Sequence, residues 1–257
     1  MQPILYRKGP IRIAETWFDT IPPGTKADIA RCMQLPQPVN FGTCTAFHTL
    51  TLDLRASEDE LLRGMDKGTR YEIRRAQTKD AVRWRTQRLD GKNDLHQFVD
   101  AYEMCLQPGN ATRRLNVDKL GRFVRAGFLD VSVVEDLQGD VLTWHVHVLA
   151  GGIARLLYSV SPASRSPESD RRNLAGRANR FHHWMDIKNF KDRELNIMDF
   201  GGFYEGSDDL KKLEINKFKQ CFGGKRVVTW NCLYPTSMLG RLALAVWGIR
   251  PKMRAAA

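Results

Sequence analysis

The sequence predicts an α/β (α+β) protein, a mixed and mostly antiparallel sheet flanked by helices and preceded by an N-terminal elaboration. Three observations predict it. Three consecutive β-rich runs, residues 128–134, 141–149 and 153–160, are separated only by Gln138-Gly139-Asp140 and Gly151-Gly152, connections of hairpin length. Helical patterns bracket these runs, so the order from residue 82 onward is β-α-α-β-β-β-α-β-α-β. The chain has 257 residues, 42% hydrophobic and 27% charged, which are the proportions of a globular protein able to bury about three quarters of its unfolded surface.

Taken in order, residues 1–42 are rich in proline and glycine, with Ile21-Pro22-Pro23-Gly24 and Pro36-Gln37-Pro38, and are expected to be extended or irregular. Residues 43–54 alternate as a strand, with Phe47, Leu50, Leu52 and Leu54 apolar. Ser57 and Glu60 form a capping box for one helix expected over residues 57–79. On that helix Leu62, Met65, Thr69, Ile73 and Ala76 make a buried stripe, and Arg63, Lys67, Arg70 and Arg74 a cationic one. The cationic stripe is either a phosphate-holding surface or a solvated face. A strand at 82–87 and helices at 94–106 and 117–126 follow, the last capped by Asn116. After the three β-runs come a helix over 172–190, a strand over 195–200, a helix over 208–219 and a strand over 226–229. Residues 1–80 are expected to pack on a core of residues 81–232. Residues 233–257 read as a basic tail, with Arg241, Arg250, Lys252 and Arg254 on a helix that either meets anionic lipid or packs back through Leu239, Leu242, Val246 and Trp247.

Net charge narrows the partners. Forty Lys and Arg against twenty-nine Asp and Glu leave +11, which suits RNA, a nucleotide- or CoA-like donor, a phosphosugar or anionic lipid. Cys32, Cys44, Cys105, Cys221 and Cys232 are scattered, odd in number and without a C-x-x-C pair. Neither a disulfide framework nor a zinc knuckle is expected from them, and they fit a reducing compartment. The N-terminus has no apolar signal-peptide core, and no apolar run is long enough to span a bilayer, so a cytoplasmic protein, with peripheral contact at the inner membrane face, is expected.

Two motifs carry a resemblance. Residues 70–76 read RYEIRRA. Farther on, an apolar strand ends in Asp199-Phe200-Gly201-Gly202, and after a spacer come Phe218-Lys219 and Phe222-Gly223-Gly224. The pair, in this order, resembles the R-x-x-I-R-x-A helix and the DFGG…FK-x-x-FGG signature of the Fem-type acyltransferases, the peptidoglycan-bridge aminoacyl and acyl transferases of the GNAT superfamily. The element order is similar to a GNAT core, and the resemblance spans residues 45–230. Fem-type proteins usually carry two GNAT-like domains; the length here suggests one plus the N-terminal elaboration.

The resemblance implies an N-acyltransferase acting by direct attack of an amine on an activated donor. No tightly bound cofactor is implied; acyl-CoA, acyl carrier protein or aminoacyl-tRNA would be the co-substrate. The acceptor would be an amine on a cell-envelope precursor, lipid- or nucleotide-linked, or another small molecule. It further implies that Lys219 stabilises the oxyanion. Asp199, Tyr204 and Glu205 around the Gly201-Gly202 turn are candidates to orient or deprotonate the amine, and Tyr158 with Gly201 and Gly202 to line the acyl or acceptor pocket. By the same resemblance the glycine pattern at Asn173, Gly176 and Ala178 marks a donor-phosphate loop, with Arg70, Arg74, Arg172 and Arg177 adding charge. His145 and His147 share one strand face. His145 is a candidate base, and no metal is expected because no third ligand is evident. His182 and His183 read as structural. The competing reading is a non-catalytic basic module of GNAT shape that binds RNA or anionic membrane, its cleft between the fourth and fifth strands closed by Tyr158 or Trp184.

Overall fold

The computed structural model describes residues 2–89, 95–106 and 115–249, in seven helices and ten strands of mixed sheet. The chain divides into two compact units.

The first unit takes the chain up to Thr49, Gly202–Gly206, and the chain from Arg226 onward. Strand β1 (Ile4–Lys8) pairs antiparallel with β2 (Ile11–Trp17), which pairs parallel with β3 (Ile29–Leu35). The expectation of irregular structure over residues 1–42 is therefore wrong. The prolines and glycines that suggested it sit at the connections, where Gly9 turns the β1–β2 hairpin at φ +58°. Between them Ile11, Ile13 and Ile29 are buried, as suits a β-branched strand face. Strand β10 (Lys225–Pro235) pairs antiparallel with β3 and also neighbours β4 (Thr43–Asp53). That adjacency joins Cys44 to Cys232 in a disulfide across 188 residues, which corrects the expectation of none. Spacing along the chain could not reveal it, because the pairing exists only once β4 and β10 lie side by side.

Helix α7 (Met238–Val246) follows β10. Ser237 caps it, accepting from Gly240 N at 3.1 Å and donating to Asp28 Oδ1 at 2.9 Å. Gly240, Ala243 and Leu244 are its buried residues, so it does pack back, but on a different side from the one expected: Leu239, Leu242 and Val246 are exposed. A Cβ on Gly240 would lie 1.8 Å from the Asp28 carbonyl oxygen, a backbone atom that cannot swing away. Gly240→Ala is expected to destabilise this unit by about 1–3 kcal/mol and to shift Trp247 fluorescence to the red as α7 lifts, measured by denaturant melts followed at that band. Arg250, Lys252 and Arg254 lie outside the described residues.

The second unit holds Leu50–Gly201 and Ser207–Lys225. Its strands β5 (Arg83–Gln87), β6 (Leu129–Glu135), β7 (Val141–Ala150), β8 (Ile153–Val160) and β9 (Ile197–Gly202) stand in the order β9-β8-β7-β6-β5. The β5–β8 pairs are antiparallel and β8–β9 is parallel; short hairpins join β6 to β7 and β7 to β8, and the long connection from β8 to β9 allows their parallel pairing. Alternation along β7 divides the core. Trp144 and Val146 join Leu95, Phe98, Leu120 and Val133 under α3 (His96–Cys105) and α4 (Val117–Arg125). Thr143, His145 and His147 face the other way, toward α5 (Ser169–Asp192).

The helix expected over 57–79 is two helices, α1 (Glu58–Gly64) and α2 (Lys67–Thr78). The Ser57–Glu60 capping box forms as expected. Asp66 then starts α2 by accepting from Thr69 N, and Arg70 Nη1 donates to the carbonyls of Leu62, Arg63 and Met65 at the end of α1. The cationic stripe is thus broken between two helices, and Leu61, not Leu62, fills the core position. Among the described residues no helix is long and apolar enough to cross a membrane.

Candidate functional site

The β8–β9 crossover sets the geometry of the second unit. The two strands pair at Ile153↔Ile197, Ala154↔Met198 and Arg155↔Asp199, and β8 runs on to Val160 beyond the last pair. At that end Asp199 Oδ1 accepts from Gly201 N at 2.6 Å, and Gly201 turns at φ +76°. A Cβ there would sit 3.0 Å from the Leu156 carbonyl oxygen, so the backbone approaches as only glycine allows.

Helix α6 (Leu210–Gln220) brings Lys219 to this end. The signature around it has a packing explanation. Phe222 is fully buried and its ring lies 5.4 Å from Phe200, 5.0 Å from His183 and 5.4 Å from Phe218. Gly223 and Gly224 follow at φ +81° and +91°, where added Cβ atoms would lie 3.0 Å from Gly64 O and 2.6 Å from Thr51 O. These contacts fix the helix end that carries Lys219. Removal from water lowers the Lys219 ammonium to about 8; Asp199 opposes that shift and Arg155 adds to it. Burial likewise lowers Arg155, with Asp199 the counter-charge. Asp199 itself is 2% exposed. Lys219, Asp199 and Arg155 thus form a coupled, largely dehydrated group at the strand end.

The expected donor-phosphate loop is not a loop. Asn173, Gly176 and Ala178 lie inside α5, which begins at Ser169, so their N–H groups serve the helix. A cavity of about 490 Å³ opens beside its first turns, lined by Arg172 and Gly176 together with Tyr102, Ser159, Arg165 and Asn179. Arg172 is exposed and donates to the carbonyls of Ser166 and Pro167. Arg177 forks onto Asp80 at 2.5 and 3.1 Å, and Arg74 is exposed on α2. Tyr158 packs against Phe98 and Tyr102, with ring centroids at 5.9 and 5.5 Å.

Gly202, Tyr204 and Glu205 belong to the first unit. Glu205 takes Arg226 at 2.8 Å, with His48 at 3.7 Å. The Tyr204 ring lies against Gly206, where a Cβ would meet its hydroxyl at 2.2 Å, and Phe47 lies beside Gly202.

His145 meets partners that its own strand does not announce. Asp186 Oδ2 lies 2.6 Å from His145 Nδ1, and Asp186 Oδ1 accepts from Ser132 Oγ at 2.7 Å and Trp84 Nε1 at 3.0 Å. His182 bridges Ser132 and Thr143, at 2.8 and 2.7 Å. His145 Nε2 reaches Asn179 Oδ1 at 2.9 Å, so a chain of polar contacts runs from Asp186 to the cavity wall. The signal available in the sequence was the i, i+4 pair His182 and Asp186 with His183 on one helix. Ligand atoms of His145, His182 and Asp186 lie within 4.8 Å of one another. The rings of His145 and His182, however, stack at 3.7 Å and 9°, which prevents their lone pairs from converging on one ion, and their nitrogens are already hydrogen-bonded. Burial pushes His147 down to about 3 and holds His182 and His183 well below the ordinary imidazole range. Burial works to raise Asp186, but the surrounding imidazoles, His182 and His145 foremost, hold it below the usual carboxylate range.

No family model and no curated protein matches the chain by sequence. Solved structures do match. FemX superposes with a TM-score of 0.65 at 12% identity, covering 95% of this chain and 85% of that one. The fold is the one that FemX has. L-PGS from Bacillus licheniformis shares it with a TM-score of 0.52 at 7% identity, over 95% of this chain and 84% of that one. So does the C-terminal domain of a protein described as a lysylphosphatidylglycerol synthetase from Agrobacterium fabrum, with a TM-score of 0.50 at 12% identity and coverage of 95% and 83%. β8 and β9 are the strands expected as the fourth and fifth of the core, and Lys219 and Asp199 stand at the end where they stop pairing.

Proposed function

We propose that the chain is an N-acyltransferase that moves an acyl or aminoacyl group from acyl-CoA, acyl carrier protein or aminoacyl-tRNA to an amine, by direct attack. The observation that carries this reading is the Lys219 ammonium, held in a dehydrated group with Asp199 and Arg155 where β8 and β9 stop pairing. The fold, shared with FemX and L-PGS, supports it at the level of architecture. In the proposed step the amine nitrogen bonds to the donor carbonyl carbon. The bond from that carbon to sulfur or ester oxygen then breaks, and the amine proton leaves while the departing thiolate or alkoxide gains one. Negative charge gathers on the carbonyl oxygen in between, and an ammonium already stripped of water stabilises it without having to reorganise solvent. The Asp199 charge favours the protonated form of that ammonium against the cost of burial.

The acceptor is read as an amine of a cell-envelope precursor or a similar small molecule. The name of the Agrobacterium fabrum protein, which refers to an aminoacylated lipid, is compatible with an aminoacyl donor. A screen of the purified chain against acetyl-CoA, longer acyl-CoAs, acyl carrier protein and charged tRNA tests the proposal by melting shift and by mass of the product. One donor class is expected to raise the melting temperature by mass action. With tRNA the affinity should fall steeply, by roughly 10³-fold or more, between about 50 and 200 mM salt. Stabilisation by uncharged RNA as strong as by any donor, with no product, would instead support a basic binding module.

A further inference from the structure

Helix α7 is apolar on two sides. One side, Gly240, Ala243 and Leu244, is buried against the first unit beside Ile11, Ile13 and Ile29. The other carries Met238, Leu239, Leu242 and Val246, which are 71%, 46%, 64% and 84% exposed. At about 100° per residue these four side chains share an arc of roughly 100°. Four large apolar side chains in one exposed stripe call for an apolar partner.

Charge around the stripe selects the partner. Arg241 is exposed on the same helix. Lys8 lies 4.4 Å from the ring of Trp247, the residue that follows the helix. No Asp or Glu occurs from residue 2 to 14 or from 237 to 257, while the second stretch goes on to Arg250, Lys252 and Arg254 beyond the described residues. A second copy of the chain is a poor occupant, because two such basic rims would repel across the contact. A surface apolar within and negative at its rim satisfies both halves of the pattern, and an anionic bilayer is such a surface.

We infer that α7 is a membrane-docking element, its Met238–Val246 stripe entering the acyl boundary of an anionic bilayer while Arg241 and Lys8 meet the lipid phosphates. The inference stands apart from the transfer reaction. Its test is co-sedimentation of the full chain with vesicles of phosphatidylcholine alone or containing about one third phosphatidylglycerol. Binding to the anionic vesicles is expected to be about tenfold tighter or more and to weaken with salt. Leu242→Gln with Val246→Gln should cut it by about tenfold and leave the melting temperature unchanged, since both side chains are exposed. Equal binding to both vesicle types, or unaltered binding by the double variant, would overturn the inference. So would a dimer, seen by light scattering, that the double variant dissolves while the chain ignores vesicles.

Discussion

Lys219→Ala is expected to lower kcat/KM for transfer by about 10²–10³ while the protein melts no lower than wild type. The expected effect on the rate follows from where the ammonium sits, against Asp199 and Arg155 and withdrawn from water, so that little solvent screens its pull on a developing oxyanion. The effect on stability follows from the same dehydration. A cation pushed down to about 8 is disfavoured in the fold, and removing it relieves that disadvantage. The pH profile separates this role from a merely structural one. If the charged form is the active one, the rate must fall as pH rises through about 8, where the ammonium loses its proton. Lys219→Arg keeps a cation that stays charged across that range, so the descending limb should vanish even if the rate itself drops. A wild-type rate in Lys219→Ala, or an unaltered descending limb in Lys219→Arg, would remove Lys219 from the reaction.

The second large effect concerns stability toward acid. His147, His182 and His183 are buried neutral, with folded pKa values below the ordinary one of 6.5. The unfolded chain binds protons there that the folded chain refuses, so stability falls as pH drops below about 6.5. His147 alone should remove roughly 2 kcal/mol between pH 7 and pH 5, and His182 and His183 act in the same direction. For a chain of this size the His147 share is a fall in melting temperature on the order of 5 °C. His147→Leu checks the cause. Both ring nitrogens of His147 are buried without a hydrogen-bond partner, and Phe190 packs on the ring at 4.8 Å. The apolar variant should therefore melt no lower at pH 7 and distinctly higher at pH 5, measured by calorimetry across that range. An identical acid slope in the variant would show that another group carries the titration.

Much of the second unit was legible from residues 82 to 220, because its elements are long, strongly periodic and joined by glycine turns. The H-x-H of β7 was read correctly as one face. Its partners were not, since Asp186 and Ser132 reach it only through the packing of α5 on the sheet. The break between α1 and α2 was hidden because apolar spacing continues through it. Only Asp66 three residues ahead of Thr69 signals a second start. The glycine pattern at Gly176 misled for a related reason: a glycine is compatible with a loop but does not require one, and α5 simply runs through it. In the N-terminal stretch prolines marked the connections and obscured the strands between them. The Cys44–Cys232 bond lay wholly beyond local reading, as does any contact made by strands so far apart in the chain.

That distance has a consequence for how the molecule is made. The first unit is assembled from three separate pieces of chain, and β3 and β4 both wait for β10 as a neighbour. On a ribosome the strands before residue 50 emerge first yet remain without that neighbour until the whole second unit has been synthesised, on the order of ten to forty seconds later at ordinary elongation rates. The second unit, with its local hairpins, is positioned to fold during that interval, and the emergence of β10 then completes the sheet of the first unit. A nascent chain from which residues 1–225 have cleared the ribosome, with β10 not yet emerged, should therefore display a protease-resistant second unit and a protease-sensitive N-terminus.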